Sequence, residues 1–332
     1  MGSPAQRRTT IKDVAEMAGV GVATVSRVLS GGSASAETRE RVLDAATKLD
    51  YRPSALGRNL RQQRSGGIAL LIPDITDSIY ARLTDGVLSC ARSYREPVTI
   101  GVTGDDPEQE ADLVGSLLEQ SMDRVVAVPS GNGEMWTPAI RAGLDVVFAD
   151  RRVSGEQRAL DEVPAVLADD RAGVRTAVEY LTGLGHRKIG FLARHGQAER
   201  VEAFRAALGD LLDEDLIVHA RASRDSAYAA AAGLLQRRPD LSAVLAGGNK
   251  LGEAAVLAAR ELDVRIPRDL SLVMFDDVPW AELCSPPLTV IAQPGQDIGY
   301  RAAELVMRQG RRPRTVLLPT ELIIRGSCGP RR

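Results

Sequence analysis

Aromatic residues are scarce in this chain of 332 residues: four Phe, six Tyr and two Trp make up 4% of it. Its core therefore has to be built from Ala, Val and Leu. Only three cysteines are present, Cys90, Cys284 and Cys328. They lack metal-ligand spacing, and an odd number argues against a disulfide framework. The three histidines, His186, His195 and His219, stand apart in sequence, which argues against a His-rich metal site. No apolar run reaches the 18 residues of a membrane-spanning helix, and the polar opening MGSPAQRR is not a signal peptide. The expectation is a cytosolic protein with no membrane partner.

Enzyme signatures are missing as well. A dinucleotide-binding enzyme needs GxGxxG between its first strand and helix, yet PDITDSIY follows Ile72 with no glycine. The stretch GLGHRKIG at 183–190 precedes a strand instead of opening a helix. No GxSxG, HExxH or Walker loop occurs. Neither enzyme activity nor a cofactor or metal is expected.

What is present describes an ordinary globular chain, with 44% hydrophobic and 26% charged residues. Its net charge of -2 hides an asymmetry. Residues 1–64 carry 11 Lys/Arg against 6 Asp/Glu, whereas the remainder carries 31 against 38. A basic small domain ahead of an acidic large one suggests that the front end meets a polyanion.

The stretch Thr10–Ser30, TIKDVAEMAGVGVATVSRVLS, reads as two short helices around a tight turn. Thr10 is placed as an N-cap, with Asp13 as an acidic variant of the capping-box partner. Ile11, Val14, Ala15 and Ala18 form one apolar stripe, and Gly19 suits a turn with positive φ. The second helix, Val22–Leu29, is expected to bury Val25, Val28 and Leu29. Val22, Ala23, Thr24, Ser26 and Arg27 then face outward. That is the layout of a helix-turn-helix, whose second helix enters the major groove. Spacing alone also fits a plain helical hairpin.

The next residues decide between the two. Ser35 is placed to cap a third helix, Glu37–Leu49, and Pro53 and Ser54 end one element and cap another. In DVAEMAGV, ATVSRVL, SAETRERV and YRPSALGRNL the chain resembles the LacI/GalR family of bacterial transcription repressors. The match is dense over the first 65 residues and looser to the C-terminus. The resemblance implies DNA contacts from Thr10, Val22, Ala23, Thr24, Ser26, Arg27, Ser35, Thr38 and Tyr51. It implies further contacts from Ser54, Ala55, Arg58 and Leu60 in a hinge helix that folds on the operator, with Leu60 wedged into a minor-groove base step. Two residues depart from the family pattern. Gly21 replaces a usual Ser, and Gly57 replaces a usual Ala inside the hinge, at a cost of about 1 kcal/mol to a helix.

From Gly66 onward short apolar strands alternate with amphipathic helices, the mark of parallel sheets covered on both faces. Nine strands are expected, near Ile68–Ile72, Val98–Val102, Val125–Val128, Val146–Phe148, Ala165–Leu167, Ile189–Leu192, Ala243–Leu245, Leu272–Phe275 and Thr289–Ile291. So long a run needs two lobes. The expected fold is multi-domain: a small all-α helix-turn-helix head (8–52), a hinge helix (53–65), and two doubly wound α/β lobes (66–328). The resemblance implies a periplasmic-binding-protein-like core, with one lobe at about 66–167 and 295–322 and the other at about 168–293 and 323–328. Crossings are then expected near Leu167, Pro294 and Leu322.

Open α/β sheets bind ligands beyond the carboxyl ends of their strands. Asp150, Asn249 and Asp276 stand at such ends, and Arg200 opens a helix after another. With the resemblance they become effector contacts, joined by Ser78 and Tyr80, which occupy the place of an aromatic pair. Trp280 could wall the pocket or sit at a subunit contact, and Trp136 has no evident role. Asn249 is expected to cap a helix that begins near Leu251. Lys250 is then either a solvated lysine offset by Glu253 or, with Arg200 or Arg151, a partner for an anionic effector. The function expected is that of a repressor that binds a palindromic operator as a homodimer, under control of a sugar or sugar acid. A solute-binding protein without a transcriptional role is the alternative.

Overall fold

The computed structural model describes residues 9–29, 32–51, 67–131, 133–153, 158–221, 223–308 and 312–331. The chain divides into two compact units, residues 1–65 and 66–332. The hinge expectation, with Ser54, Ala55, Arg58 and Leu60, lies outside the described residues.

The first unit is three helices, Ile11–Ala18, Val22–Leu29 and Ala36–Lys48. Asp13 begins it by accepting from the Thr10 N–H at 2.6 Å and the Thr10 hydroxyl at 2.7 Å. Gly19 turns the chain at φ 63°, and the third helix fastens that turn: Arg41 donates to the Ala18 carbonyl at 2.5 Å. Val14, Val25 and Val42, one from each helix, are wholly buried and form the centre of the core. Ser35 accepts from the Thr38 N–H at 3.2 Å and caps the third helix. On the second helix Val22, Ala23 and Arg27 are exposed and Thr24 is half-buried. Ser26 was expected outward but is buried. At 3.6 residues per turn it lies about 60° around the helix from Leu29, close enough for the core to cover it.

The second unit holds two six-stranded sheets. The first lobe contains β1 (Ile68–Ile72), β2 (Val98–Val102), β3 (Arg124–Ala127), β4 (Asp145–Ala149) and β5 (Ala165–Ala168). The second contains β6 (Ile189–Arg194), β7 (Ile217–Ala220), β8 (Ala243–Ala246), β9 (Ser271–Phe275) and β10 (Thr289–Ala292). β11 (Thr315–Leu318) then joins the first sheet beside β5, and β12 (Glu321–Ile323) joins the second beside β10. The orders are β11-β5-β4-β3-β1-β2 and β12-β10-β9-β8-β6-β7, so each lobe repeats one topology. Among the paired strands only β12 runs antiparallel to its neighbour. β1 is buried along its whole length because helices cover both faces of its sheet.

Three strands, β7, β11 and β12, had no counterpart in the sequence expectations. All three are sheet edges, and each is only three or four residues long. The chain crosses between lobes after β5, after β10 and after β11. The last crossing falls at Pro319-Thr320, two to three residues before Leu322, which pairs with Ile291 inside the second sheet.

Helix Gly295–Met307 returns to the first lobe and packs on helix Ser78–Ser93. The two backbones touch. A Cβ built on Gly86 would lie 2.0 Å from the Gln296 carbonyl oxygen, and one on Gly299 would lie 1.9 Å from that of Leu83. The approach fixes the helix whose N-terminus carries Asp77 and Tyr80. Trp136 is fully buried in this lobe, edge-on to Phe148 with ring centroids 5.6 Å apart. Among the described residues no helix is long and apolar enough to cross a membrane.

Candidate functional site

The carboxyl ends of both sheets face a cleft of about 390 Å³. Tyr80, Asp150, Arg200, Asn249, Lys250 and Asp276, all expected from the sequence, line it. Ser78 does not; the neighbouring Asp77 does. Asp77 is the N-cap of the helix and accepts from the Ile79 N–H at 3.3 Å, so its carboxylate sits at the mouth while Ser78 turns into the first helical position.

Asp150 ends β4 at φ 66° and Asp276 ends β9 at φ 76°. Asp tolerates this left-handed conformation better than most residues. Their environments differ. Asp150 accepts from the Tyr80 hydroxyl at 3.2 Å. Burial, and then the adjacent Asp150 charge, raise the Tyr80 hydroxyl above its ordinary pKa, so it remains a neutral donor. Asp276 is buried, and both of its oxygens are in use: the Gln293 amide donates at 2.6 Å, and the backbone and side chain of Asn249 donate at 3.1 Å each.

Arg200 is likewise a structural clamp. It donates to Asp170 at 2.7 and 3.2 Å, to the Gly247 carbonyl at 2.7 Å and to Gln293 at 3.1 Å. Its guanidinium carbon lies 3.9 Å above the Phe275 ring centre. Lining the floor of the cleft, it stiffens the second lobe with four of its five N–H donors committed.

Asn249 is not the helix cap. The helix is Asn249–Glu261 and Gly248 stands at the cap position, which leaves the Asn249 amide free to donate to Asp77 at 2.8 Å. Glu253, the expected partner of Lys250, pairs with Arg224 at 3.1 Å instead. Lys250 reaches Asp74 at 2.5 Å.

Arg194 and Gln197 also line the cleft and were not singled out beforehand. Arg194 lies two residues beyond the strand expected at Ile189–Leu192 and is the last residue of the observed β6. Arg194 approaches Asp105 of the first lobe at 3.7 Å, and Asp105 also pairs with Arg151. Beneath this group Glu110 is fully buried and accepts from the Ser130 N–H at 2.8 Å. Burial pushes its carboxyl up to about 7, although the Ser130 N–H, Arg151 and the Trp136 indole pull the other way. Trp280 is not at the cleft; it packs half-buried against the core of the second lobe.

Of the expected DNA contacts in the head, Val22, Ala23 and Arg27 present a free outer face at the start and middle of the second helix. Thr10 and Ser35 are exposed caps, Thr38 is half-buried beside Ser35, and Tyr51 packs on the head core.

Residues 10–54 match the family of bacterial regulatory proteins, lacI family, and residues 178–328 match a periplasmic binding protein-like domain. The HTH-type transcriptional regulator DegA of Bacillus subtilis is 31% identical, over 97% of this chain and 99% of its own. The ribose operon repressor of Halalkalibacterium halodurans is 31% identical, over 96% of both chains. Among solved structures, the transcriptional regulator CelR–cellobiose complex is 30% identical, with a TM-score of 0.72 over 96% of this chain and 100% of that one. The lac repressor dimer bound to operator, at 24% identity and a TM-score of 0.81 over 97% and 100%, shares the fold. A helix-turn-helix head on a two-lobed core, matched end to end by transcriptional regulators, places this chain in the lacI family of bacterial DNA-binding regulatory proteins.

Proposed function

We propose that the protein is a cytoplasmic repressor that binds a palindromic operator as a homodimer and is controlled by a neutral, polyhydroxylated effector in the cleft. The charge inventory of the cleft carries the effector assignment. Five acids line it (Asp77, Asp150, Asp170, Glu199, Asp276) against five bases (Arg151, Arg152, Arg194, Arg200, Lys250). The bases are engaged: Arg200 with Asp170, Lys250 with Asp74, Arg151 and Arg194 with Asp105, and Arg152 with the Val163 and Arg314 carbonyls. Asp77 and Asp150 keep acceptor capacity, which suits the hydroxyl groups of a sugar better than a carboxylate or phosphate. This reading sets aside the anionic effector suggested by Lys250 in the sequence.

Dimerisation is supported by apolar surface on the second unit. Leu283 is 84% exposed, and Ile100 and Val102 are exposed on the edge strand β2. A two-fold pair of heads would read two half-sites. Among the relatives, cellobiose occupies the CelR complex, and the lac repressor dimer is seen on its operator. A solute-binding role alone has no use for the exposed reading helix.

The test combines operator selection from random duplexes with a thermal-shift panel of neutral sugars, polyols and their acidic counterparts. A palindromic consensus is expected, together with stabilisation by a neutral member that alters operator affinity. A non-palindromic consensus, or stabilisation by acids alone, overturns the proposal.

A further inference from the structure

Lys250 is set at the first turn of its helix, where a cation opposes the helix dipole. The structure gives it a purpose there. Asp74 follows β1 in the first lobe and Lys250 follows β8 in the second, and their side chains meet at 2.5 Å. Three other contacts join the same two lips. Asn249 donates to Asp77 at 2.8 Å, Arg82 donates to the Asp277 carbonyl at 2.9 Å, and Arg194 stands 3.7 Å from Asp105. The lobes are thus held together across the cleft by the chain's own side chains. Of these contacts among the described residues, only the Asp74–Lys250 pair combines full opposite charges with short range and solvent access, with side chains 31% and 50% exposed.

We infer that Asp74 and Lys250 form an electrostatic latch over the mouth of the cleft, which an effector must break to enter and which re-forms behind it. This rests on the cleft being the effector site. Asp74 is prepared for the task, since its carboxylate also accepts from the N–H and hydroxyl of Thr76 at 2.8 and 2.6 Å. Partial burial pushes the Asp74 carboxyl up, but Lys250 and Thr76 outweigh it and draw the group down to about 2, so it is ionised throughout the ordinary pH range. The latch therefore responds to ionic strength, because salt screens exposed pairs.

The test needs neither DNA nor effector, so its failure and the failure of the proposed function are separable. Ala168 lines the cleft and is buried. In full-length Ala168→Cys protein, the rate at which dithiobis-nitrobenzoate modifies the new thiol, corrected for the parent's own cysteines, reports opening. Lys250→Ala and Asp74→Ala should each speed modification about 2- to 5-fold, the range of an exposed ion pair. The charge-swapped pair, Asp74→Lys with Lys250→Asp, should restore the slow rate. Raising NaCl to 1 M should speed the parent and leave Lys250→Ala unchanged. Unaltered rates in the single variants, or a swapped pair as fast as either, would overturn the latch. The swap also separates a latch from a damaged fold, which it would not rescue.

Discussion

Asp150 and Asp276 stand at equivalent places in the two lobes, each at the end of the fourth strand of its repeat and each with a positive φ. They are equivalent in backbone and opposite in occupation. Asp276 is committed to Asn249 and Gln293, whereas among the described residues the Asp150 side chain accepts only from the Tyr80 hydroxyl. Asp150→Asn should keep the melting temperature within about 1 °C of wild type and weaken effector binding. Asp276→Asn should cost about 1–3 kcal/mol of stability through its lost charge-assisted hydrogen bonds. Calorimetric melting and titration with the sugar found in the thermal-shift panel check both. Equal loss of stability in the two variants would refute the division of labour.

Gly299→Ala should reverse the usual helix rule. Ala normally stabilises a helix interior over Gly by about 1 kcal/mol. Here its methyl would meet the Leu83 carbonyl at 1.9 Å, and forcing two backbones apart costs about 1–3 kcal/mol or more. Urea denaturation of the variant gives the sign at once.

Glu110 predicts a pH dependence. Its carboxyl is raised from 4.5 to about 7 in the folded chain, so between those values the folded state binds more protons than the unfolded one. Stability therefore falls as pH rises from about 4.5 to 7 and levels off above. The contribution is on the order of 2 kcal/mol after allowance for relaxation of the site. Glu110→Gln should flatten that part of the profile and leave the protein more stable than wild type at pH 8. A wild-type slope retained in the variant would place the proton elsewhere.

On DNA, Arg27→Ala should cost about 1–3 kcal/mol at the selected operator and relax preference at one base pair per half-site. Val22 and Ala23 lack hydrogen-bonding tips and read thymine methyls or shape, so their truncation should leave guanine preference intact. Competition between specific and random duplexes separates these outcomes. An unchanged specificity ratio for the Arg27 variant would remove it from the reading surface.

Much of this architecture was legible in residue patterns because burial on both faces leaves a plain signal. The run IALLI of β1 is an example. Short strands at sheet edges give less to read: β11 and β12 have four and three residues and escaped notice, whereas the longer edge strand β2 was legible. The strand-end acids were visible by position, but sequence does not say which hydrogen bonds a side chain has already spent. That is why the engagement of Arg200 with Asp170 was not foreseen. Arg194 was missed because its reach across to Asp105 spans two lobes. The Gly86–Gly299 approach was missed for the same reason, as it depends on two helices more than 200 residues apart in the chain.

The threading of the lobes has a consequence for how the protein is made. Strands β1–β5 leave the ribosome first, yet their sheet lacks β11 and the covering helix Gly295–Met307 until the whole of 169–294 has been synthesised. At about 5–20 residues per second that wait is on the order of 10 s. During it the face meant for Gly299, with Ile79, Leu83 and Val87, has no partner from its own chain. A nascent first lobe is therefore a natural client for a chaperone, and a truncated chain ending after the second lobe would expose the same face permanently.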